Sequence, residues 1–125
     1  MTKDTPAPGS PVRGSTTGRP LMAALDLFGR RWALRLLWEL REEPIGARQL
    51  RARCDGMSSS VLYERLTELR EAGLVTKADS GDYMLTELGA ELGAALDPLA
   101  AWSRRWAERD RRPGPTGAAG GPGAG

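Results

Sequence analysis

The sequence predicts a mainly α-helical fold of the α+β class: a winged helix-turn-helix with a two-stranded wing and a long C-terminal dimerisation helix. Three observations carry this reading. Apolar side chains recur at helical spacing in four short segments before residue 73. The period then changes to strand-like alternation on either side of Ser80–Gly81. After Thr86 a helical apolar stripe returns and continues to Trp106.

Pro20 suits the first turn of a helix over 20–28; Leu21, Leu25 and Phe28 line one face, and Gly29 ends it. A second helix is expected over 31–42. Trp32, Leu36, Leu37 and Leu40 form its stripe, Arg31, Arg35, Glu39 and Arg41 face outward, and Pro44 stops it. Ile45–Gly46 is long enough only for a bridge of strand. A third helix covers about 47–54, with Leu50 and Cys54 inward, and Asp55–Gly56 signals a turn.

Ser58 is a good N-cap for a helix over 59–72, and Met57 and Leu62 stand where a hydrophobic staple would hold the chain entry. Leu62, Leu66 and Leu69 form the core edge of this helix and Gly73 closes it. LVTKA and DYMLT then make a small hairpin. Thr86 caps the last helix, with Glu87 at its positive end. Leu88, Leu92, Leu96, Leu99, Trp102 and Trp106 fall along its stripe. Pro98 lies inside this run, lacks a donor and crowds the Ala94 carbonyl, so a kink or break is expected at Asp97–Pro98.

Composition limits the chemistry. Residues 1–19 and 113–125 are rich in Pro, Gly, Ser and Thr and read as disordered tails around one domain over 20–112. The chain has no His, and Cys54 is its single Cys. This removes His-based acid–base work, the common zinc sets and an intrachain disulfide, so neither an enzyme nor a cofactor is expected. No apolar run approaches a membrane span, and residues 1–19 lack a secretion-signal stretch, so a soluble cytoplasmic protein without membrane contact is expected. The net charge of +2 comes from Lys3, Arg13 and Arg19 against Asp4, leaving 20–112 balanced. Distribution says more: residues 30–53 carry seven Arg against Glu39, Glu42 and Glu43. A local basic face suits phosphate contact, although a solvated helix surface reads the same way.

The blocks PLMAALDLFGRRWALRLLWEL, QLRARCDGMSSSVLYERLTELREAGLV, LTELG and LDPLAAW occur in an order and spacing that resemble the HxlR family of bacterial regulators, within the MarR-like superfamily. The resemblance spans about residues 19–106. It implies a cytoplasmic winged-helix homodimer that binds a palindromic operator in double-stranded DNA, as a repressor or an activator, with repression the expected mode. A MarR- or PadR-like regulator is the neighbouring alternative. Three features depart from the family pattern. Arg19 stands before Pro20 where many members carry a sensing Cys. The wing KADSGD is short, with Lys77 its only cation. Gly46 and Ala47 replace an aromatic and a basic group.

On the helix 59–72 the face opposite Leu62 and Leu66 presents Ser60, Tyr63, Glu64 and Thr67, with Ser58 and Ser59 at its start. Small polar groups near a helix N-terminus reach phosphates and base edges in the major groove. Glu64 can accept from cytosine, yet a carboxylate near phosphates also costs affinity. This face has no central cation, so phosphate contact falls to Arg48 and Arg51 on the preceding helix, Arg65 and Arg70 on the flanks, and Lys77 at the wing.

Residues 86–110 would span roughly 37 Å at about 1.5 Å per residue, more than one small domain covers. Leu96, Leu99, Trp102 and Trp106, joined by Leu21, Leu25 and Phe28, are therefore the expected dimer interface. Burying two Trp and one Leu contributes on the order of 5 kcal/mol before association costs. An aromatic small-molecule effector slotted between Trp102 and Trp106 is the alternative use of that pair. Trp32 and Trp38 read as core, and Cys54 as a buried, inert thiol. A competing function is a winged-helix protein–protein interaction module, gripping a protein through Tyr63 with weak or no DNA binding. The short wing, Glu64 and the neutral domain favour that alternative.

Overall fold

A computed structural model of the chain describes residues 5–9 and 19–110. Its elements are α1 (Pro20–Phe28), α2 (Ala33–Glu39), α3 (Ala47–Arg53), α4 (Ser59–Glu71), β1 (Val75–Lys77), β2 (Tyr83–Leu85) and α5 (Glu87–Asp110). The chain divides into two compact units at Gly93–Ala94, inside α5. The first holds α1–α4, the hairpin and the start of α5; the second holds the rest of α5. No helix among the described residues is long and apolar enough to cross a membrane.

In the first unit Leu27, Leu36, Leu37, Ile45, Leu50 and Cys54 meet Met57, Leu62, Leu66, Leu69, Val75 and Tyr83 in one buried cluster. Leu36, Leu37, Leu50, Cys54, Leu62, Leu66 and Leu69 come from the apolar faces expected of their helices, whereas α1 buries Ala23 and Leu27 and leaves the expected Leu21 and Leu25 exposed. The strands pair antiparallel with Val75 opposite Leu85 and Lys77 opposite Tyr83. Ile45 adds a single bridge to Tyr83, through N–H···O bonds of 2.9 and 2.8 Å. Gly73 leaves α4 at φ 82°, a left-handed conformation that L side chains resist. At Gly89 a Cβ would collide with the Leu74 carbonyl oxygen, so α5 approaches the start of the wing as only glycine permits. Thr86 caps α5, accepting from Gly89 N at 3.0 Å while its hydroxyl donates to Gly73 O at 2.6 Å.

The structure bears on three expectations. The second helix is shorter than 31–42: it starts after Trp32, which sits at φ 78° and is its N-cap. Such a backbone costs a bulky residue about 1–3 kcal/mol. Here the Trp32 ring is partly buried against the core. At Pro98 the helix assignment runs through without a break. Ala94 and Pro98 are both exposed, so water can reach the carbonyl that Pro98 leaves without a donor. Within the expected tail over 1–19 the structure describes Thr5–Gly9, where Pro6 is buried and Thr5 Oγ1 donates to Glu71 Oε1 at 2.9 Å. Residues 1–4, 10–18 and the expected tail 113–125 lie outside the described residues.

One buried charge organises the helices. Glu68 is 2% exposed on the inner flank of α4. Arg30 Nη1 donates to its Oε2 and Arg65 Nη1 to its Oε1, both at 2.8 Å. Arg65 Nε also donates to the Arg31 carbonyl at 2.9 Å. The set ties α4 to the α1–α2 connection.

Two predictions follow from this packing. Glu68→Ala leaves two guanidinium groups without their carboxylate, and the unfolding free energy should fall by about 3–5 kcal/mol in urea titration. Cys54 is 1% exposed, and burial pushes its thiol pKa up. Raised above the unfolded value of about 8.5, it contributes stability that is full below that pH and lost as pH rises through the folded value. The folded protein should resist a thiol reagent at pH 8 that labels it promptly in urea. The alkaline loss of stability should be shallower in Cys54→Ser.

Candidate nucleic-acid interface

The helix-turn-helix is built from α3, the turn 54–58 and α4. Ser58 accepts from Val61 N at 3.2 Å, which starts α4 one residue after the turn. Met57 and Leu62 are both buried beside it. Arg51 Nε donates to the Met57 carbonyl at 2.9 Å, bracing the turn from α3. With Leu62, Leu66 and Leu69 turned inward, helical periodicity exposes Ser58, Ser59, Ser60, Tyr63, Glu64 and Thr67. Tyr63 is half exposed, a large ring presented to solvent. Ser58 and Ser60 hydroxyls lie 3.3 Å apart, so each can turn outward to an acceptor.

Arg48, Arg51, Ser59 and Tyr63 line one shallow depression between α3 and α4. Asp55 lines it too and sets a carboxylate beside the two cations. Glu64 and Thr67 lie on the exposed face of α4 outside this depression. Lys77 is exposed at the end of β1, with Nζ 5.5 Å from the centre of the Tyr83 ring.

The cation supply differs from a reading of charge along the chain. Arg65, considered for phosphate contact, is committed to Glu68 and the Arg31 carbonyl. Arg35 Nε bonds Glu39 at 2.8 Å and its Nη2 donates to the Arg53 carbonyl at 2.6 Å. The Glu39 hydrogen bond, the largest influence on it, pushes the Arg35 pKa further up. Arg53 pairs with Glu39 and Glu43 at 3.6 and 3.5 Å. Arg41 lies 3.5 Å over the Trp38 ring and reaches Glu42 at 3.3 Å. Arg30 serves Glu68. Most of the basic stretch 30–53 is therefore spent inside the domain. Arg48 is exposed and has no ion pair among the described residues.

The residues expected at a dimer interface divide. Leu21, Leu25, Leu99, Trp102 and Trp106 are each about half exposed or more. Phe28 is partly buried against the core. Leu96 is 8% exposed. Trp102 and Trp106 stack on each other, centroids 5.5 Å apart and planes 16° apart. That is the spacing of a direct aromatic pair, about 4.5–7 Å, and leaves no slot for a ring between them.

Sequence reasoning missed Glu68 and the seated Thr5–Pro8 segment. The Arg65–Glu68 spacing of three was a signal for the first. Nothing local marked the second, whose partner Glu71 is distant in sequence.

The HxlR-like helix-turn-helix family model matches residues 27–111. Rv3095 of Mycobacterium tuberculosis, named as an uncharacterized HTH-type transcriptional regulator, is 34% identical over 108 residues, covering 80% of this chain and 64% of the relative. This chain thus spans about two thirds or less of that mycobacterial relative. The HTH-type transcriptional regulator YodB of Bacillus subtilis is 28% identical over 101 residues, 76% of this chain and 90% of YodB. Among solved structures, quinone-bound YodB aligns with a TM-score of 0.63 at 28% identity, over 68% of this chain and 96% of that one. A MarR-family regulator from Enterococcus faecalis V583 aligns with a TM-score of 0.63 at 30% identity, over 74% and 89%. With the family match running from the end of α1 to the end of α5, the chain belongs to the HxlR-like helix-turn-helix family.

Proposed function

We propose that the protein is a cytoplasmic transcription regulator that binds double-stranded DNA sequence-specifically as a homodimer, repressing from an inverted-repeat operator. The observation that carries this is the exposed face of α4 from Ser58 to Thr67, set beside the exposed Arg48 of α3. A helix so presented fits the major groove, where Tyr63, Glu64 and Thr67 would meet base edges. Ser59 and Ser60 at the N-terminus would meet phosphate, with Arg48, Arg51 and Lys77 supplying charge. The relatives named as transcriptional regulators support the reading.

A second copy would cover Leu99, Trp102 and Trp106 on α5 and Leu21 and Leu25 on α1. Each of these leaves apolar surface in water that a partner would bury. Two-fold pairing presents two reading helices about one DNA turn apart. The quinone-bound state of YodB supports a small-molecule effector for this chain as well. The stacked Trp pair directs the search for its site elsewhere.

The sparse supply of exposed cations and the placement of Asp55 and Glu64 favour a second reading, a protein-interaction module. Duplex binding decides between them. Selection of genomic fragments by the purified protein should enrich one inverted repeat, and affinity should fall with salt as counterions are released. Arg48→Ala should weaken binding to every sequence alike and flatten the log–log salt slope by about 0.9, one phosphate contact. Absence of duplex binding at low ionic strength would favour the interaction module. Trp102→Ala with Trp106→Ala should shift the protein from dimer towards monomer in sedimentation velocity, with the helical circular dichroism largely retained.

A further inference from the structure

The first unit holds a second concave surface, away from the α3–α4 depression. Ala23, Leu27 and Phe28 of α1, Leu74 after α4, and Leu88 and Leu92 of α5 wall a cleft of about 560 Å³. Thr5, Pro6, Ala7 and Pro8 close one side of it, held by the buried Pro6 ring and the Thr5–Glu71 hydrogen bond. Leu88 remains 55% exposed there, so the cleft is not simply core. Its volume lies within the range of about 300–1,000 Å³ that holds small organic ligands.

Charge narrows the choice of ligand. The polar side chains lining the cleft are Thr5, Glu71 and Glu91, and among the described residues neither Lys nor Arg lines it. Thr5 already donates to Glu71, whereas Glu91 is exposed on α5 at the rim. Among the described lining residues an anion would meet the exposed Glu91 carboxylate and no Lys or Arg, whereas a cation would meet attraction. A helix from another protein is a poor fit, since it is about 10 Å across with its side chains and would have to displace Thr5–Pro8.

We propose that this cleft binds a small aromatic or alicyclic molecule carrying one cationic amine, its apolar body against Leu27, Phe28 and Leu92 and its ammonium towards Glu91. The Thr5–Pro8 segment forms one wall, so occupancy is coupled to the seating of the N-terminal segment. As a route to regulation this rests on the DNA-binding reading; as ligand binding it does not.

The test uses the full chain and three probes of matched shape: 4-phenylbutylamine, 4-phenylbutanol and 4-phenylbutyrate, titrated by calorimetry. The amine should bind on the order of tenfold more tightly than the carboxylate, with the alcohol between them. Glu91→Gln should bring the three affinities together. Ala24→Leu, which adds carbon into the open cleft, should weaken all three. Arg48→Ala should leave them unchanged, so loss of DNA binding and loss of ligand binding are read separately. No binding of the amine, equal binding of amine and carboxylate to the unaltered chain, or affinities indifferent to both cleft substitutions would each overturn the proposal.

Discussion

The buried carboxylate of Glu68 is the constraint on which the orientation of α4 depends. A charge taken out of water is tolerated only when its oxygens find strong partners, and here each oxygen has a separate guanidinium at 2.8 Å. Arg30 comes from the α1–α2 connection, and Arg65 of α4 also donates to the Arg31 carbonyl there, so α4 cannot rotate against that connection without breaking both contacts. That restriction adds to the apolar seam of Leu62, Leu66 and Leu69, which alone would accept small rotations. The two together settle which residues of α4 meet solvent. Ser60, Tyr63 and Thr67 are exposed because Glu68 and its neighbours are not.

The same economy of charge shapes the proposed DNA surface. Arginines crowd residues 30–53, yet Arg30, Arg35 and Arg53 are absorbed by Glu68, Glu39 and Glu43. These pairs link α2 to α3 and α4 to the connection before α2, so they serve the scaffold rather than its surroundings. What remains at the helix-turn-helix is Arg48 and, in the last turn of α4, Arg70, with Arg51 partly engaged by the Met57 carbonyl. A surface so sparing in cations depends on the close fit of a polar helix more than on electrostatic attraction. Under the proposed function, binding would then be modest in affinity unless two copies act together.

Apolar surface is distributed with similar economy. In the second unit, Trp102 and Trp106 cover part of each other by stacking and leave their outer faces in water. In the first, Thr5–Pro8 covers part of α1 and leaves a cleft beside it. These are different physical situations. A flat, exposed aromatic pair suits another protein surface, whereas a walled concavity with an acidic rim suits a small molecule.

The order and type of the elements were legible in the sequence because they rest on local causes. Apolar spacing of three and four, Ser58 and Thr86 as caps, Gly73 as a stop and alternation around Ser80–Gly81 each act within a few residues. Even the brief strand at Ile45 could be read that way. Where a local rule met a distant partner, tertiary structure decided. Trp32 stands before α2 in a left-handed conformation rather than within it, and α5 continues through Pro98. Arg65 turned inward to a carboxylate, and Thr5 found Glu71 sixty-six residues away. Periodicity along one segment specifies which face is apolar. Only the folded chain specifies what lies against that face, since the energy of a charge or a ring depends on neighbours that sequence spacing does not encode.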